Sequence, residues 1–402
     1  MRDWLEDVFR DRPTWMNVVL VFCAFMTFVY VPWDFFIKPV ASDEEVWFGI
    51  LFHGGWAKLM EIPHWVVYGT LTYGLRRMRP WTGTLAALYS AQIALGMFVW
   101  NLVQLEGLLL PLFVGAIGAL PFALLALGFW ASEDFARPRA PLGERYGEWA
   151  LVTGASAGIG AQFARAIARE GMNVVLSARR EDRLADLAAE IEKNEGVATR
   201  IVTADLADPA EADRLANALS DIEIGLLVNN AGVGYSGRFD KQEPARIRGL
   251  VQLNCTSAAL LTARFYPPMV ARGRGAVLFT GSVAGRQPLP LHAVYSASKA
   301  FDNFLGEALY VEARAAGVDV LVLEPGSTES EFQQVAGEVA HPGQSCEEVV
   351  GVALDALGRQ PSVVSGWFNY LRATLPQRLL PRPLVLYVAR DAMREQTPPD
   401  MR

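Results

Sequence analysis

The stretch TGASAGIG, Thr153–Gly160, decides the fold of the C-terminal part of the chain. It follows the apolar run WALVT (149–153) and leads directly into the amphipathic segment GAQFARAIAREG. Gly154 permits a tight turn, Gly158 lets the backbone approach a pyrophosphate, and Gly160 permits close packing of helix on strand. The first turn of the helix then offers free N–H groups to phosphate oxygens. A strand, a glycine-rich turn and a helix in this order predict a dinucleotide-binding βαβ unit.

Short apolar runs continue to alternate with amphipathic segments after this unit. The runs are WALVT (149–153), NVVLSA (173–178), TRIVTAD (199–205), GLLVNN (225–230), GAVLFTG (275–281) and VDVLVLEP (318–325). Alternation of buried strands with helices predicts an α/β fold, a Rossmann-like doubly wound parallel sheet with helices on both faces. We assign this catalytic domain to 149–365, after a linker at 133–148 and before an amphipathic C-terminal extension at 366–402.

Residues 1–132 have a different composition and predict an all-α transmembrane domain. The chain has 402 residues, of which 52% are hydrophobic, and the apolar excess lies in 14–131. About four runs are long enough to span a bilayer, which requires about 20 apolar residues. They lie at 15–37, 47–75, 81–103 and 108–132. The alternative, a soluble apolar core, would need four such runs without polar faces, and we favour it less.

The second run is the least regular of the four. Gly54, Gly55 and Pro63 interrupt it, so 46–75 is either one long interrupted span or a surface-lying helix followed by a short span. Lys58 and Glu61 either form a buried pair that lines a lipid or substrate path, or lie at the interface and snorkel. We favour the interfacial alternative for both side chains.

Basic residues collect on one side of the predicted spans. They are Arg2, Arg10 and Arg12 before the first span, Arg76, Arg77 and Arg79 after the second, and Arg137, Arg139 and Arg145 after the fourth. Positive residues mark the cytoplasmic side of a membrane protein. The sequence therefore predicts an integral protein of the inner or cytoplasmic membrane, with its N-terminus and catalytic domain facing the cytoplasm.

Charge and cysteine usage exclude other classes of function. The net charge is −7 and no Lys/Arg-rich run is present, which argues against nucleic-acid binding. The three cysteines lack CxxC spacing and the four histidines form no HExxH pattern. Neither a disulfide framework nor a metal site is therefore predicted.

The end of the second predicted strand indicates which nicotinamide cofactor binds. An Asp or Glu there would hold a ribose 2′-hydroxyl, but Ala178 is followed by Arg179 and Arg180. Guanidinium groups suit a 2′-phosphate by charge and by bidentate geometry. NADP(H) is therefore favoured over NAD(H), although the two arginines are alternatively only solvated charges at a helix start.

Together these motifs resemble the short-chain dehydrogenase/reductase family, in its compact single-domain form, over about 149–365. TGASAGIG resembles the family's cofactor loop, NNAG (229–232) its fourth-strand segment, and YSASK (295–299) its YxxxK motif. The resemblance implies an oxidoreductase with the catalytic residues Asn254, Ser282, Tyr295 and Lys299. The expected cofactor contacts are Gly154, Ser156, Gly158, Ile159, Gly160, Arg179, Arg180, Asp205, Leu206, Asn230, Ala231, Gly232, Tyr295, Lys299, Pro325, Gly326 and Thr328.

The chemistry of a carbonyl reduction explains these residue types. A proton must reach the developing alkoxide, and a spacing of four puts Tyr295 and Lys299 on one face of a helix. The ammonium is expected to lower the phenol pKa from its usual value of about 10. Ser282 is expected to hydrogen-bond the substrate oxygen, and Asn254 to position a water that resupplies protons. His292 is interpreted as a loop or helix-cap residue outside the site.

Two features point to a lipophilic substrate that arrives from a lipid bilayer. One is the membrane domain, and the other is the extension at 366–402, which mixes arginines with large apolar residues. Such a segment either lies on an anionic membrane surface or covers the domain or a dimer contact, and we weigh these alternatives equally. The resemblance also makes a homodimer through the two long helices, about 243–270 and 292–316, a possible arrangement.

Our leading hypothesis is therefore a membrane-anchored NADP(H)-dependent oxidoreductase. It would reduce a ketone, or oxidise the secondary alcohol, of a 3-oxoacyl, sphingoid or steroid-like compound. The alternative is a membrane protein whose dehydrogenase-like domain serves as an NADP(H) sensor or scaffold.

Overall fold

The computed structural model describes residues 13–107, 109–132 and 140–402, in two compact units, Met1–Arg139 and Ala140–Arg402. Several predictions made from the sequence fall outside these described ranges. They concern Arg2, Arg10, Arg12, Arg137 and Arg139 of the topology argument and the first half of the predicted linker.

In the part of the N-terminal unit that the structure describes, the main elements are four long helices and a β-hairpin. The elements are α1 (Thr14–Phe36, with a π-helical turn at Met26–Tyr30), β1 (Glu44–Trp47), β2 (Ile50–His53), α2 (Gly55–Arg77), α3 (Pro80–Gln104) and α4 (Leu109–Ala131). Among the described residues, three helices are long and apolar enough to cross a membrane: Thr14–Phe36, Trp81–Gln104 and Leu109–Ala131. They coincide with the first, third and fourth predicted spans.

The second predicted span, 47–75, differs from the structure at its start. Residues up to His53 form an antiparallel hairpin in which Trp47 pairs with Ile50, and the helix begins only at Gly55. Phe48 and Gly49 adopt positive φ values of 50° and 83°, which close the hairpin turn. The hairpin was not predicted, and a topology with four spans stays a prediction.

Lys58 and Glu61 are buried, so the favoured interfacial interpretation of this pair was wrong. The two residues are 8% and 4% exposed. The Nζ atom of Lys58 lies 2.9 Å from Oδ2 of Asp43 and 3.8 Å from Oε1 of Glu61. Lys38 adds a second ammonium, 2.6 Å from Oδ1 of Asp43. Charges that are distant in sequence compensate one another here, which makes their burial tolerable.

A seven-stranded sheet forms the centre of the C-terminal unit. Its strands are β3 (Trp149–Thr153), β4 (Asn173–Ser177), β5 (Thr199–Ile201), β6 (Ile224–Asn229), β7 (Gly275–Thr280), β8 (Val318–Glu324) and β9 (Ser362–Val364). Their order is β5-β4-β3-β6-β7-β8-β9, and every neighbouring pair is parallel. The predicted Rossmann-like sheet is confirmed. Strand β9 was not predicted, since three residues carry no recognisable period.

Helices cover both faces of this sheet. They are α5 (Leu142–Tyr146), α6 (Gly158–Arg169), α7 (Glu181–Glu195), α8 (Glu211–Asn217), α9 (244–272, with a π-helical turn at Gln252–Thr256), α10 (Ala293–Arg314), α11 (Phe332–Ala336), α12 (Cys346–Ala356), α13 (Trp367–Leu379) and α14 (Arg382–Gln396). Helix α5 lies in the second half of the predicted linker, and its Leu142 and Tyr146 belong to the core of this unit.

The two faces of the sheet have separate cores. Because side chains alternate along a strand, Ala150 and Val152 of β3 pack on one side while Leu151 packs on the other. The first core includes Phe163 of α6, and the second includes Tyr310 of α10. Burial on both faces explains why the strands read as continuous apolar runs.

The chain reverses its direction of winding between β3 and β6, which are neighbours in the sheet. Connections leave these two strands on opposite sides, so a crevice opens at their carboxyl ends. Gly154 makes the turn there with φ of +69°, and a Cβ atom on it would lie 2.9 Å from the Cα atom of Ala231. The predicted glycine loop therefore lies at the ligand-binding edge of the sheet.

Two helical glycines of this unit give a matched stability test. A Cβ on Gly306 of α10 would lie 2.3 Å from Cγ2 of Val322, whereas one on Gly351 of α12 would meet nothing within 4 Å. Gly306→Ala is expected to lower the free energy of unfolding by about 1–3 kcal/mol through overpacking. Gly351→Ala is expected to raise it by about 0.5–1 kcal/mol because alanine loses less backbone entropy. Thermal unfolding of the full chain measures both, and a destabilisation by both substitutions, or by neither, would contradict this packing.

Candidate active site

The glycine loop is clamped to the end of strand β6. The backbone N–H groups of Asn230 and Ala231 both donate to Oγ1 of Thr153, over 3.0 Å each. The side-chain amide of Asn230 donates to the carbonyl oxygen of Thr153 over 2.9 Å. A Cβ on Gly160 would lie 2.2 Å from the carbonyl oxygen of Gly154, so only glycine permits this approach. The loop and the NNAG segment thus form one rigid floor.

A cavity of about 490 Å³ lies above this floor. Nearly every residue predicted to contact a cofactor or substrate lines it. The set is Gly154, Ser156, Gly158, Ile159, Gly160, Arg179, Arg180, Asp205, Leu206, Asn230, Ala231, Gly232, Ser282, Tyr295, Lys299, Pro325, Gly326 and Thr328. The exception is Asn254, which lies buried behind the lining.

Arg180 forms an oxyanion site at the end of strand β4. Its Nη1 atom lies 2.7 Å from Oε2 of Glu331, and Nη1 of Arg183 lies 2.5 Å from Oε1 of the same carboxylate. The Nη2 atom of Arg180 also donates to Oγ of Ser156, 3.0 Å away in the glycine loop. Arg183 and Arg180 hydrogen-bond Glu331 and lower the pKa of its carboxyl group. Arg179 is more exposed, with Nη1 3.9 Å from Oδ2 of Asp205.

This arrangement fits a dinucleotide that carries a 2′-phosphate. Two guanidinium groups already hold one oxyanion, at the strand end where the 2′-position of the ribose binds in this type of fold. The close approach of backbone at Gly154 and Gly160 leaves room for a pyrophosphate at the start of α6.

Lys299 is buried between strand β7 and its own helix α10. Its Nζ atom donates to the carbonyl oxygen of Thr280 over 2.7 Å and lies 3.0 Å from Oδ2 of Asp302. Burial disfavours the ammonium, but the charge of Asp302, the neighbouring Tyr295 and the hydrogen bond with Asp302 together outweigh this effect and raise the pKa of Lys299. Asp302 was not predicted as a site residue. Its spacing of three from Lys299 on a helix is the signal that indicates it.

Tyr295 lies one turn before Lys299, against Ser282 and Phe332. Ser282 acts on the phenol as a hydrogen-bonding neighbour, and the ring centroid of Tyr295 is 5.5 Å from that of Phe332. Burial raises the pKa of Tyr295, while the charge of Lys299 and the hydrogen bond with Ser282 act to lower it. The predicted net lowering of this pKa was therefore wrong, because desolvation of the phenol outweighs the effect of the ammonium.

Asn254 lies in the π-helical turn of α9, where the extra residue turns its side chain inward. Its Nδ2 atom donates to the carbonyl oxygen of Val233 over 3.0 Å and to Oγ of Ser298 over 2.9 Å. Its Oδ1 atom accepts from the N–H of Val233 over 2.9 Å. A Cβ on Gly232 would lie 3.3 Å from this Oδ1 and 3.4 Å from Nζ of Lys299. The amide and the ammonium therefore face the same small space.

The remaining wall of the cavity is largely apolar and comes from the chain after β8. It includes Phe332, Val335, Val385, Val388, Ala389 and Met393, together with Leu289. Ala389 and Met393 of α14 pack in one cluster with Leu289 and Tyr295. Helices α13 and α14 thus cover the catalytic domain, one of the two alternatives considered for the C-terminal extension.

One polar cluster interrupts this apolar wall. His292 is 2% exposed at the N-terminus of α10, and its Nε2 atom lies 3.3 Å from Oε1 of Glu338. The other oxygen of Glu338 is 3.2 Å from Nε2 of His341. All three side chains line the cavity. His292 is a helix-cap residue, as expected, and Glu338, 46 positions later, lies beside it at the cavity wall. Its exclusion from the site stays a prediction.

Comparison with known proteins identifies relatives of the C-terminal unit. A family model described as short chain dehydrogenase matches residues 148–339. The very-long-chain 3-oxoacyl-CoA reductase of Anas platyrhynchos is 32% identical over 288 residues, which cover 66% of this chain and 91% of that protein. The Homo sapiens very-long-chain 3-oxoacyl-CoA reductase is 37% identical over 190 residues, which cover 46% of this chain and 61% of that protein.

Solved structures of related proteins share the fold. A 7β-hydroxysteroid dehydrogenase is 30% identical with a TM-score of 0.58, covering 62% of this chain and 99% of its own. A short-chain dehydrogenase from Sphingobium yanoikuyae, in complex with NADPH, is 35% identical with a TM-score of 0.54. That match covers 57% of this chain and 92% of the other.

The buried pair of Lys299 and Asp302 can be tested by removing one charge or both. Asp302→Ala leaves the ammonium buried with no carboxylate, and it is expected to lower the free energy of unfolding by about 3–5 kcal/mol. The double substitution Lys299→Met with Asp302→Leu removes both charges and should recover most of that loss. Thermal unfolding of the full chain compares them. Equal stabilities for Asp302→Ala and the parent protein would show that the carboxylate does not support the ammonium.

Proposed function

This chain belongs to the short-chain dehydrogenase/reductase family of oxidoreductases, and from that premise we propose that it reduces the 3-ketone of a long-chain 3-oxoacyl thioester with NADPH. The observation that carries the proposal is the make-up of one cavity. An oxyanion site at Arg180 and Arg183 lies on its cofactor side, Tyr295 with Ser282 and Lys299 lies in its lining, and an apolar wall completes it. Relatives named very-long-chain 3-oxoacyl-CoA reductase support this substrate class.

The residues proposed to hold the cofactor divide by the part of the dinucleotide that each suits. Arg180 and Arg183 suit the 2′-phosphate, with Glu331 moving away, and the glycine loop suits the pyrophosphate. Thr328, in the turn after β8, suits the carboxamide. When bound, NADPH supplies the hydride that the ketone carbon accepts.

The proton chemistry is assigned to four side chains. Ser282 and Tyr295 donate hydrogen bonds to the ketone oxygen and polarise it, and Tyr295 then gives its proton to the developing alkoxide. The raised pKa of Tyr295 keeps the phenol protonated beforehand, which suits the reductive direction. Lys299, held as an ammonium by Asp302, stabilises the phenolate that remains. Asn254 is proposed to position the water that returns a proton.

The apolar wall supports a lipophilic substrate but admits a second class. A 7β-hydroxysteroid dehydrogenase is among the structural relatives, so a steroid ketone is the alternative substrate. The sensor or scaffold hypothesis is less well supported, since a module that only binds NADPH has no use for a partly buried Tyr295 beside Ser282 and Lys299.

Residence in a membrane forms the third part of the proposal. The three helices Thr14–Phe36, Trp81–Gln104 and Leu109–Ala131, with α2 as the proposed fourth span, would anchor the chain in the inner or cytoplasmic membrane. Arg76 and Arg77 at the end of α2, Arg79 just after it and Arg145 in α5 support a cytoplasmic catalytic domain. Exposed Phe304 and Val311 on α10 support a homodimer through α9 and α10.

Tyr295→Phe tests the proton donor. The variant should lose roughly 10²- to 10⁴-fold in kcat for a long-chain 3-oxoacyl-CoA, because the ring stays in place without a proton to give. Its affinity for NADPH, measured by the fluorescence of the bound cofactor, should stay within about twofold of the parent value. Tyr266→Phe on α9 is the matched control and should turn over normally. Full activity of Tyr295→Phe would refute the catalytic assignment.

Arg180→Leu tests the cofactor preference. Loss of a charge-assisted contact should weaken NADPH binding roughly 10- to 100-fold and leave NADH binding nearly unchanged. Glu331→Gln should act in the opposite direction, because it removes the carboxylate that competes with a 2′-phosphate for Arg180 and Arg183. Titration of each variant with NADPH and with NADH measures these changes in affinity. An equal loss of NADPH and NADH affinity in Arg180→Leu would contradict a 2′-phosphate site.

A further inference from the structure

Helices α13 and α14 expose a continuous series of large apolar side chains. On α13, Phe368, Leu375 and Leu379 are 61%, 43% and 73% exposed, and Trp367 at its start is 75% exposed. Phe368, Leu375 and Leu379 are spaced by seven and then four residues, so their side chains lie along one side of the helix. On α14, Leu384 and Tyr387 are 47% and 60% exposed. We call these six residues the apolar face: Trp367, Phe368, Leu375, Leu379, Leu384 and Tyr387.

Basic side chains surround the apolar face. Between 367 and 396 the sequence contains five arginines and only two carboxylates, in a chain whose net charge is −7. Arg372, Arg378, Arg382, Arg390 and Arg394 are all exposed. The guanidinium of Arg390 lies 5.2 Å from the ring centroid of Tyr387, on the apolar face itself. The local charge is therefore opposite in sign to that of the whole protein.

The same two helices form a wall of the cavity. Ala373 of α13 and Val385, Ala389 and Met393 of α14 line it from inside. Val388 lines the cavity and is also 53% exposed, next in sequence to Tyr387 of the apolar face. The rim of the cavity and the apolar face therefore meet on α14.

We propose that the apolar face docks into the interfacial region of an anionic lipid bilayer. Helices of 13 and 15 residues are too short to span, but an apolar side flanked by arginines suits a helix that lies in the membrane plane. The candidate spans in the N-terminal unit would confine the chain to a membrane, as proposed above, so that a weak surface contact is sufficient to hold α13 and α14 there.

This contact gives the cavity a route for substrate, an extension that rests on the proposed long-chain substrate. With Val388 at the lipid surface, an acyl chain passes from the bilayer between α13 and α14 to Tyr295 without exposure to water. Exposure of each CH₂ group to water costs free energy, so a route that stays in lipid lowers the barrier to entry of a long acyl chain.

Pairing with a second copy of the chain suits this surface less well. A two-fold interface places the same patch of both subunits together, so the five arginines of one copy would face those of the other. Like charges in such an arrangement disfavour association. Phosphate headgroups of anionic lipids offer the complementary charge instead.

The test uses the full chain in phosphatidylglycerol-containing vesicles with a nitroxide label at Leu379→Cys. Cys23, Cys255 and Cys346 are replaced by alanine beforehand, and a second protein carries the label at Lys193→Cys on the exposed side of α7. Collision of the label with oxygen, which enters lipid, is compared with collision with a water-soluble nickel complex. Docking predicts that the ratio of oxygen to nickel collisions is several-fold higher at 379 than at 193, and that it falls in vesicles of phosphatidylcholine alone.

Two results would overturn the proposal. Equal ratios at the two positions would place Leu379 in water, and protection of Leu379 from both reagents would place it against protein, as in pairing of two copies. If Leu379 is found in lipid but no 3-oxoacyl-CoA is turned over, the result would support docking of the apolar face and refute only the proposed function.

A kinetic comparison tests the route. Phe368→Asp combined with Leu379→Asp should raise KM several-fold for a long-chain 3-oxoacyl-CoA in vesicles, but not for water-soluble 3-oxobutanoyl-CoA. Unchanged NADPH binding shows that the variant is folded, and an equal effect on both substrates would overturn the route.

Discussion

The buried ammonium of Lys299 is the interaction around which the catalytic domain is arranged. A buried charge without partners is costly, so the groups that pair with a buried ammonium must be fixed in place. The carbonyl oxygen of Thr280, at the end of β7, accepts one hydrogen bond, and Asp302, one turn further along α10, supplies the opposite charge. Helix α10 is thereby held in register with the sheet, and Tyr295 of the same helix is held beside Ser282. The same contacts support the fold and the proposed proton donor.

The sequence allowed the parallel sheet, the glycine loop and the residues that line the cavity to be predicted, because those features depend on local patterns. The groups that were missed depend on contacts between distant parts of the chain. Glu331 reaches Arg180, and Glu338 reaches His292, only after the segment following β8 has folded over the sheet. The pKa of Tyr295 depends on burial, which spacing does not reveal.

The N-terminal unit shows the same limit. Composition indicated the helices at Thr14–Phe36, Trp81–Gln104 and Leu109–Ala131, since long apolar runs need no partner to be recognised. The hairpin at 44–53 and the burial of Lys58 were not predictable in this way. Lys58 is accommodated by Asp43, which follows α1 in the chain, and no period in the sequence connects the two residues.

The proposed activity joins a hydride-transfer site to a lipophilic substrate at a membrane. Transfer of deuterium from the cofactor to the product tests whether this reaction occurs. The full chain in vesicles is supplied with a long-chain 3-oxoacyl-CoA and NADPH that carries deuterium at the transferable position of the nicotinamide, and the product is examined by mass spectrometry. The account predicts a 3-hydroxyacyl product with a single deuterium on carbon 3. A product without deuterium, or unreacted 3-oxoacyl-CoA in the presence of bound NADPH, would contradict it.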